Sequence, residues 1–198
     1  MKPLEGIKVV DLTTYMATPA TGRVLGEWGA DVIKVEAAKG DPLRVTQAAV
    51  FNMPMSDEEN LAFDMCNLHK RFISLNLKSE VGAEVMDKLL SEADVFITNT
   101  RTKSLRKMGL DWETLHAISS FDHGSWAWLR EEGRRKGRSW VRRNLLYGSW
   151  WRIWHYGKSW RFTYDPTNGY GDLQAAMFLQ QVFVQPLLDV KSQAKAIM

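Results

Sequence analysis

Over its first 118 residues the chain alternates short apolar runs with amphipathic stretches, and this alternation restricts the fold more than any other feature. "IKVVDL" (Ile7 to Leu12) suits a strand buried on both faces, and the small, polar turn "TTYMATPAT" follows it. "PATGRVLGEWG" reads as a helix, with Pro19 tolerated in its first turn and Gly29 near its end. "ADVIKVE" (Ala30 to Glu36) is a second strand, so about thirty residues hold a strand, a helix and a strand, the βαβ unit. Downstream, "RFISLNL" (Arg71 to Leu77) alternates as a strand, "SEVGAEVMDKLLSEA" is an amphipathic helix with Ser79 as N-cap, and "DVFITN" (Asp94 to Asn99) is another buried strand. The pattern predicts an α/β fold over residues 1–118: a Rossmann-like parallel sheet with flanking helices, followed by an irregular C-terminal part.

After Ser120 the periodicity fails. Seven of the nine tryptophans lie between Trp126 and Trp160, together with nine Lys or Arg and two acids, Glu131 and Glu132. The formal charge of +3 originates there: without those nine bases and two acids, the 26 bases and 23 acids of the chain leave an acidic remainder. Order returns at Arg161, where the turn-rich "YDPTNGYGD" leads into "LQAAMFL", the start of a helix. The chain therefore divides into 1–118, 119–160, 161–179 and 180–198. One cysteine, Cys66, excludes an intramolecular disulfide framework and suits a reducing compartment. No apolar run has the length of a membrane helix, and "MKPLEGIKVVDL" reaches a glycine and acids too early for a signal peptide, so the cytoplasm is the expected location.

In a parallel sheet, ligands gather beyond the carboxyl ends of the strands. Those ends carry Thr13 to Thr18, the segment after Glu36, and "NTRTKSLRKMG" (Asn99 to Gly109), whose Arg101, Lys103, Arg106 and Lys107 suit a phosphate-bearing ligand or a solvated loop and helix start. Glu36 occupies the place of a ribose-gripping acid, but "TTYMATPATG" contains no G-x-G-x-x-G fingerprint for a dinucleotide. His69, Lys70 and Arg71 form a basic cluster that either serves the same anion or is a surface turn. The four histidines and one cysteine show no metal-ligand spacing, and no G-x-S-x-G elbow is present. Asp172, after two glycines and before an apolar helix, is either an N-cap or a carboxylate kept ionised at a helix start.

Three stretches carry a resemblance: "KPLEGIKVVDLTTYMATPATGRVLGEWGADVIKVEAAKGDPLR", "NLHKRFISLNLKSEVGAEVMDKLLSEADVFITN" and "LRKMGLDWETL". They are similar to the N-terminal part of the class III CoA-transferases, the CaiB/BaiF family, and most of all to members acting on 2-hydroxyacyl groups such as phenyllactate or 2-hydroxyisocaproate. The resemblance implies CoA transfer between an acyl-CoA, a 2-hydroxyacyl-CoA or related enoyl-CoA, and a carboxylic acid. Coenzyme A would be a substrate, with no permanently bound cofactor, and the family's intact form is an interlaced homodimer. The family's nucleophile follows a glycine before a helix, which points to Asp172, and family positions that contact the CoA nucleotide fall on Lys70, Asn99, Lys107 and Met108. One departure stands out: Ala37 follows the glutamate of the second strand where the formyl-CoA branch has arginine, leaving recognition there to Lys39 or to other means.

The family also has a glycine-rich loop and a "GFD" stretch before its nucleophile, and neither is present between Ser120 and Asp172. A shift of reading frame supplies both. "WAWLREEG" (Trp126 to Gly133), written TGG GCA TGG CTA CGG GAA GAA GGG and read one base later, gives G-H-G-Y-G-K-K-G. "WVRRNLLYGSWW" (Trp140 to Trp151) with permissible codons gives G-F-D-A-T-C-Y-M-A-R-G-G under the same shift, and "QQVFVQPLLDVKSQAKAI" moved by two bases yields a family-like helix and "GKGD" turn. On this reading residues 119–160 and 180–198 are out of frame, 161–179 are restored with Asp172, and the chain as written is truncated and of doubtful activity. Two other readings remain open: a nucleotide-binding α/β domain of different function, and a Trp/Arg-rich module for single-stranded nucleic acid or a membrane surface. Four glycines interrupt the latter's apolar face, and the CoA-transferase reading involves neither nucleic acid nor membrane.

Overall fold

The computed structural model describes residues 2–45, 60–111 and 113–115. Four parallel strands, β1 (Lys8–Leu12), β2 (Asp31–Glu36), β3 (Lys70–Ser74) and β4 (Val95–Thr98), form one sheet in the order β3-β2-β1-β4. Helix α1 (Ala17–Glu27) joins β1 to β2, α2 (Leu61–Asn67) precedes β3, α3 (Glu80–Ser91) joins β3 to β4, and α4 (Thr102–Lys107) follows β4.

Alternation along the strands sorts the core into two layers. Val9, Val32, Val95 and Ile97 face α1 and pack with Leu4, Leu25 and Ala30. Val10, Val35 and Phe96 face the other way, onto Met86 and Leu90 of α3 and Leu105 of α4. A third cluster, Met16, Ala20, Leu43, Phe63 and Cys66, fills the space between α1 and α2. Strands β1 and β4 are thus covered on both faces, as their apolar runs require, whereas β3 at the sheet edge buries Lys70 and leaves Arg71 and Phe72 exposed.

Local signals set the helix ends. Gly29, with φ 103°, ends α1 in a left-handed turn in which Gly29 N–H donates to Gly26 (3.0 Å) and Ala30 N–H to Leu25 (3.0 Å), the Schellman arrangement. Ser79 caps α3, its hydroxyl accepting from Gly82 N–H at 3.2 Å. At the face of α1 turned to the sheet, a Cβ on Gly22 would lie 2.7 Å from an Asp11 carboxylate oxygen and 3.2 Å from the Lys70 ammonium. Only a hydrogen at that position lets the helix settle over these charges.

Most expected elements form. The third strand is shorter than its alternation suggests: it ends at Ser74, and Leu75 and Leu77 pack beneath α3. Helix α2 has no counterpart in the expected elements; its seven residues are shorter than a periodicity search resolves, and Asn60 caps it by accepting from Phe63 N–H at 3.0 Å. No helix among the described residues is long and apolar enough to cross a membrane.

Candidate functional site

The chain order reverses between β1 and β4, since β2 and β3 extend the sheet on one side of β1 and β4 on the other. The loops leaving β1 and β4 lead to helices on opposite faces of the sheet, and the switch between them at the carboxyl edge is the usual crevice for a ligand in an open parallel sheet. Asn99 bridges it: its side-chain oxygen accepts from Thr14 N–H (3.0 Å) and its amide donates to Thr14 C=O (2.7 Å). Thr98 adds a second tie, donating from its hydroxyl to Leu12 C=O at 2.9 Å and accepting from Thr100 N–H at 3.1 Å.

Beneath the β1 loop lies a buried polar cluster built by register. Asp11 pairs with Lys34, and Val32 with Lys70, so the three charged side chains share the α1 face of the sheet. Lys34 Nζ donates to Thr13 C=O at 2.7 Å and lies 3.0 Å from Asp41 Oδ2, both side chains fully buried. Asp41 Oδ1 accepts from Tyr15 N–H (3.1 Å) and Leu43 N–H (2.9 Å), while the Thr13 hydroxyl donates to Asp11. Lys70 Nζ donates to Asp11 Oδ2 (2.7 Å), Pro19 C=O (2.7 Å) and Asn67 Oδ1 (2.9 Å). Burial pushes the Lys70 ammonium below its ordinary pKa, and the Asp11 carboxylate opposes that shift. A buried ion pair of this kind adds little net stability, but removing one member leaves an uncompensated charge costing about 3–5 kcal/mol.

The four expected nucleotide contacts take different places. The Lys70 side chain is wholly buried with all three donors engaged, so any ligand contact from this residue comes from its backbone. Asn99 is half-buried at the crevice with both polar groups on Thr14. Lys107 is exposed at the end of α4 and makes no ion pair among the described residues, and Met108 packs half-buried against the adjoining core. Arg101 and Lys103 are exposed on the same short element, and Arg106 lies 3.4 Å from Glu113. Asp172 lies outside the described residues.

Glu36 is committed elsewhere. Its carboxylate accepts from Arg44 Nε (3.0 Å) and Nη2 (3.1 Å), and from Asp41 N–H (3.2 Å), while the same guanidinium stacks 3.7 Å from the Phe63 ring centroid. The segment after β2 is thereby folded back on the sheet. Sequence reasoning passed over Asp11, Lys34, Asp41 and Arg44. For Asp11 and Lys34 the signal was a charge at an inward-facing position of an otherwise apolar strand, in "VVDL" and "VIKVE", whereas Asp41 and Arg44 lie in the segment after β2 and carried no such signal. A separate cavity of about 210 Å³ lies on the α3 face toward the amino edge, lined by Val10, Ile33, Val85 and Leu89 with Lys8 and Glu92 at its rim, away from this crevice. Among the described residues no group of three or more His, Cys, Asp or Glu is placed to hold a metal ion.

Residues 4–120 match the model of CoA-transferase family III. The chain is 46% identical over 112 residues to the (R)-2-hydroxy-4-methylpentanoate CoA-transferase of Clostridioides difficile, covering 57% of this chain and 28% of that protein. It is 50% identical over 110 residues to the cinnamoyl-CoA:phenyllactate CoA-transferase of Clostridium sporogenes, covering 56% of this chain and 26% of that one. The matched stretch therefore spans about a quarter of these relatives. A CaiB/BaiF family protein from Brucella suis superposes with a TM-score of 0.74 at 28% identity, over 98% of this chain and 51% of that structure. The family match takes in the whole β3-β2-β1-β4 sheet and both walls of its crevice, and the chain belongs to CoA-transferase family III.

Proposed function

We propose that this chain is the CoA-binding N-terminal part of an enzyme that moves CoA between an acyl-CoA, of the 2-hydroxyacyl or related enoyl type, and a carboxylic acid. The observation that carries the reading is the 46% and 50% identity to two transferases named for such acids, over the stretch that builds the crevice. Exposed Arg101, Lys103 and Lys107 on one wall suit the phosphates of CoA, and Met108 beside them offers apolar contact to its nucleotide. Asn99 and Lys70 act mainly by holding the crevice in shape. CoA enters as substrate with no permanently bound cofactor; the cytoplasm is the site of action and an interlaced homodimer the working form.

Asp172 is the nucleophile in this proposal. Its carboxylate attacks the thioester carbonyl and expels CoA thiolate, leaving a mixed anhydride. The thiolate then attacks the aspartyl carbonyl and releases the first acid, giving an aspartyl-CoA thioester. An incoming carboxylate attacks that thioester, and the freed thiolate takes the new acyl group and restores Asp172. Residues 119–160 and 180–198 are out of frame on this reading, which is supported by the end of the family match at residue 120, just ahead of the Trp/Arg-rich stretch.

Two measurements test it. The nucleotide sequence must encode the glycine loop and "GFD" stretch one base over; codons that do not remove the frame proposal. The frame-repaired protein should transfer CoA from an acyl-CoA to a carboxylic acid, and Asp172→Ala should lower turnover by at least about a thousandfold, as expected for loss of a covalent nucleophile. Retained turnover in that variant contradicts the assignment.

A further inference from the structure

Among the described residues two non-glycine residues hold left-handed backbone, His69 at φ 63° and Tyr15 at φ 66°. For His69 the reason is packing: its carbonyl sits against α1 so closely that a Cβ on Gly26 would lie 2.8 Å from it. Tyr15 has no such reason. A bulky aromatic residue in this region is strained and persists only where its surroundings over-determine it.

Here they do. Lys34 holds Thr13 C=O, Asn99 holds both backbone groups of Thr14, Asp41 holds Tyr15 N–H, and Met16 C=O accepts from Ala20 N–H at 2.9 Å. Asp41 is itself fixed by Leu43 N–H and the neighbouring Lys34 ammonium, both in the interior. The conformation thus rests on a buried ion pair. Tyr15 is 47% exposed, and its phenol makes no hydrogen bond or ring contact among the described residues. A strained backbone that presents a half-exposed aromatic, without a polar or ring partner among the described residues, at the carboxyl edge of a parallel sheet is the kind of feature a ligand contact explains.

The charge distribution says which end of the ligand. From Thr13 to Gly22 the sequence "TTYMATPATG" contains no charged residue, whereas the wall across the crevice carries Arg101, Lys103 and Lys107. Phosphates belong on the basic wall and the uncharged end of the ligand on the Tyr15 side. The geometry points to Tyr15 as a specificity-determining residue that packs its ring against the acyl group of the acyl-CoA, with Asp41 as the positioning residue that sets its backbone. This rests on the CoA-transferase reading and deepens it.

The test uses the full chain, titrated calorimetrically with free CoA and with cinnamoyl-CoA. Tyr15→Gly is the informative variant, because glycine adopts the left-handed backbone without strain and so removes the ring without endangering the fold. The wild-type chain should bind cinnamoyl-CoA more tightly than CoA. Tyr15→Gly should lose about threefold to tenfold of its cinnamoyl-CoA affinity while CoA affinity and melting temperature stay near the wild-type values, and Tyr15→Phe should behave as wild type, as expected for an aromatic packing contact. Equal loss for both ligands, no loss for either, or a wild-type chain indifferent to the acyl group overturns the assignment while leaving CoA binding intact. A wild-type chain that binds neither ligand overturns the CoA reading and this inference with it.

Discussion

Cys66 shows how a single side chain can report on the interior of this fold. It is fully buried beneath α1, close to Lys70, and burial pushes its thiol from 9.0 up to about 11. Because the folded state holds the thiol proton more tightly than the unfolded chain, the associated stability is fully present below pH 9.0 and is lost as pH rises through about 11. The shift corresponds to roughly 3 kcal/mol at 1.36 kcal/mol per unit. Urea unfolding of wild type and Cys66→Ala between pH 8 and 11 should show a stability difference that changes in the direction of a less stable wild type by up to that amount. A pH-independent difference would show that the thiol is not desolvated. At the same scale, the charges of Asp11, Lys34 and Lys70 explain why part of the site was hidden in the sequence. A lysine in a strand reads as an outward residue, and only the register that brings Asp11 beside Lys34 and Lys70 within reach of Asp11 shows it to be internal.

Between elements, the crevice depends on one residue of the β4 loop grasping the loop after β1. Asn99→Ala removes both hydrogen bonds to Thr14, which should lower stability by about 1–2 kcal/mol. Its sharper signature is local: the Thr14 amide should exchange with solvent about tenfold faster while the amides of β1 itself keep their protection. Unchanged exchange at Thr14 would show that the loops are held by other contacts. The elements themselves were largely legible. Three apolar runs and one alternating run became four strands, and the glycine after Trp28 and the serine before Glu80 marked helix ends that the backbone confirms. Periodicity could not see α2, which is only two turns long, nor the clamp, because Asn99 and Thr14 are 85 positions apart and meet only when β4 adds beside β1.

At the scale of the whole molecule, two kinds of information converge on residues 4–120. The strand order places a crevice at the switch between β1 and β4, and the family match covers the same stretch. Glu36 separates this crevice from a dinucleotide site: it is bound bidentately by Arg44 and further engaged by the Asp41 amide, so it offers no free carboxylate to a ribose diol. The exposed bases of α4 stand opposite a β1 turn without charged residues, and the proposed division of the crevice into a phosphate side and an uncharged side follows from that contrast. If the proposed function holds, this chain should bind CoA and not NAD. Calorimetric titration of the full chain with each ligand at low salt tests it most directly. CoA should bind saturably, more weakly with added salt, and NAD should give no heat of binding; saturable NAD binding, or no response to CoA, would overturn the CoA reading.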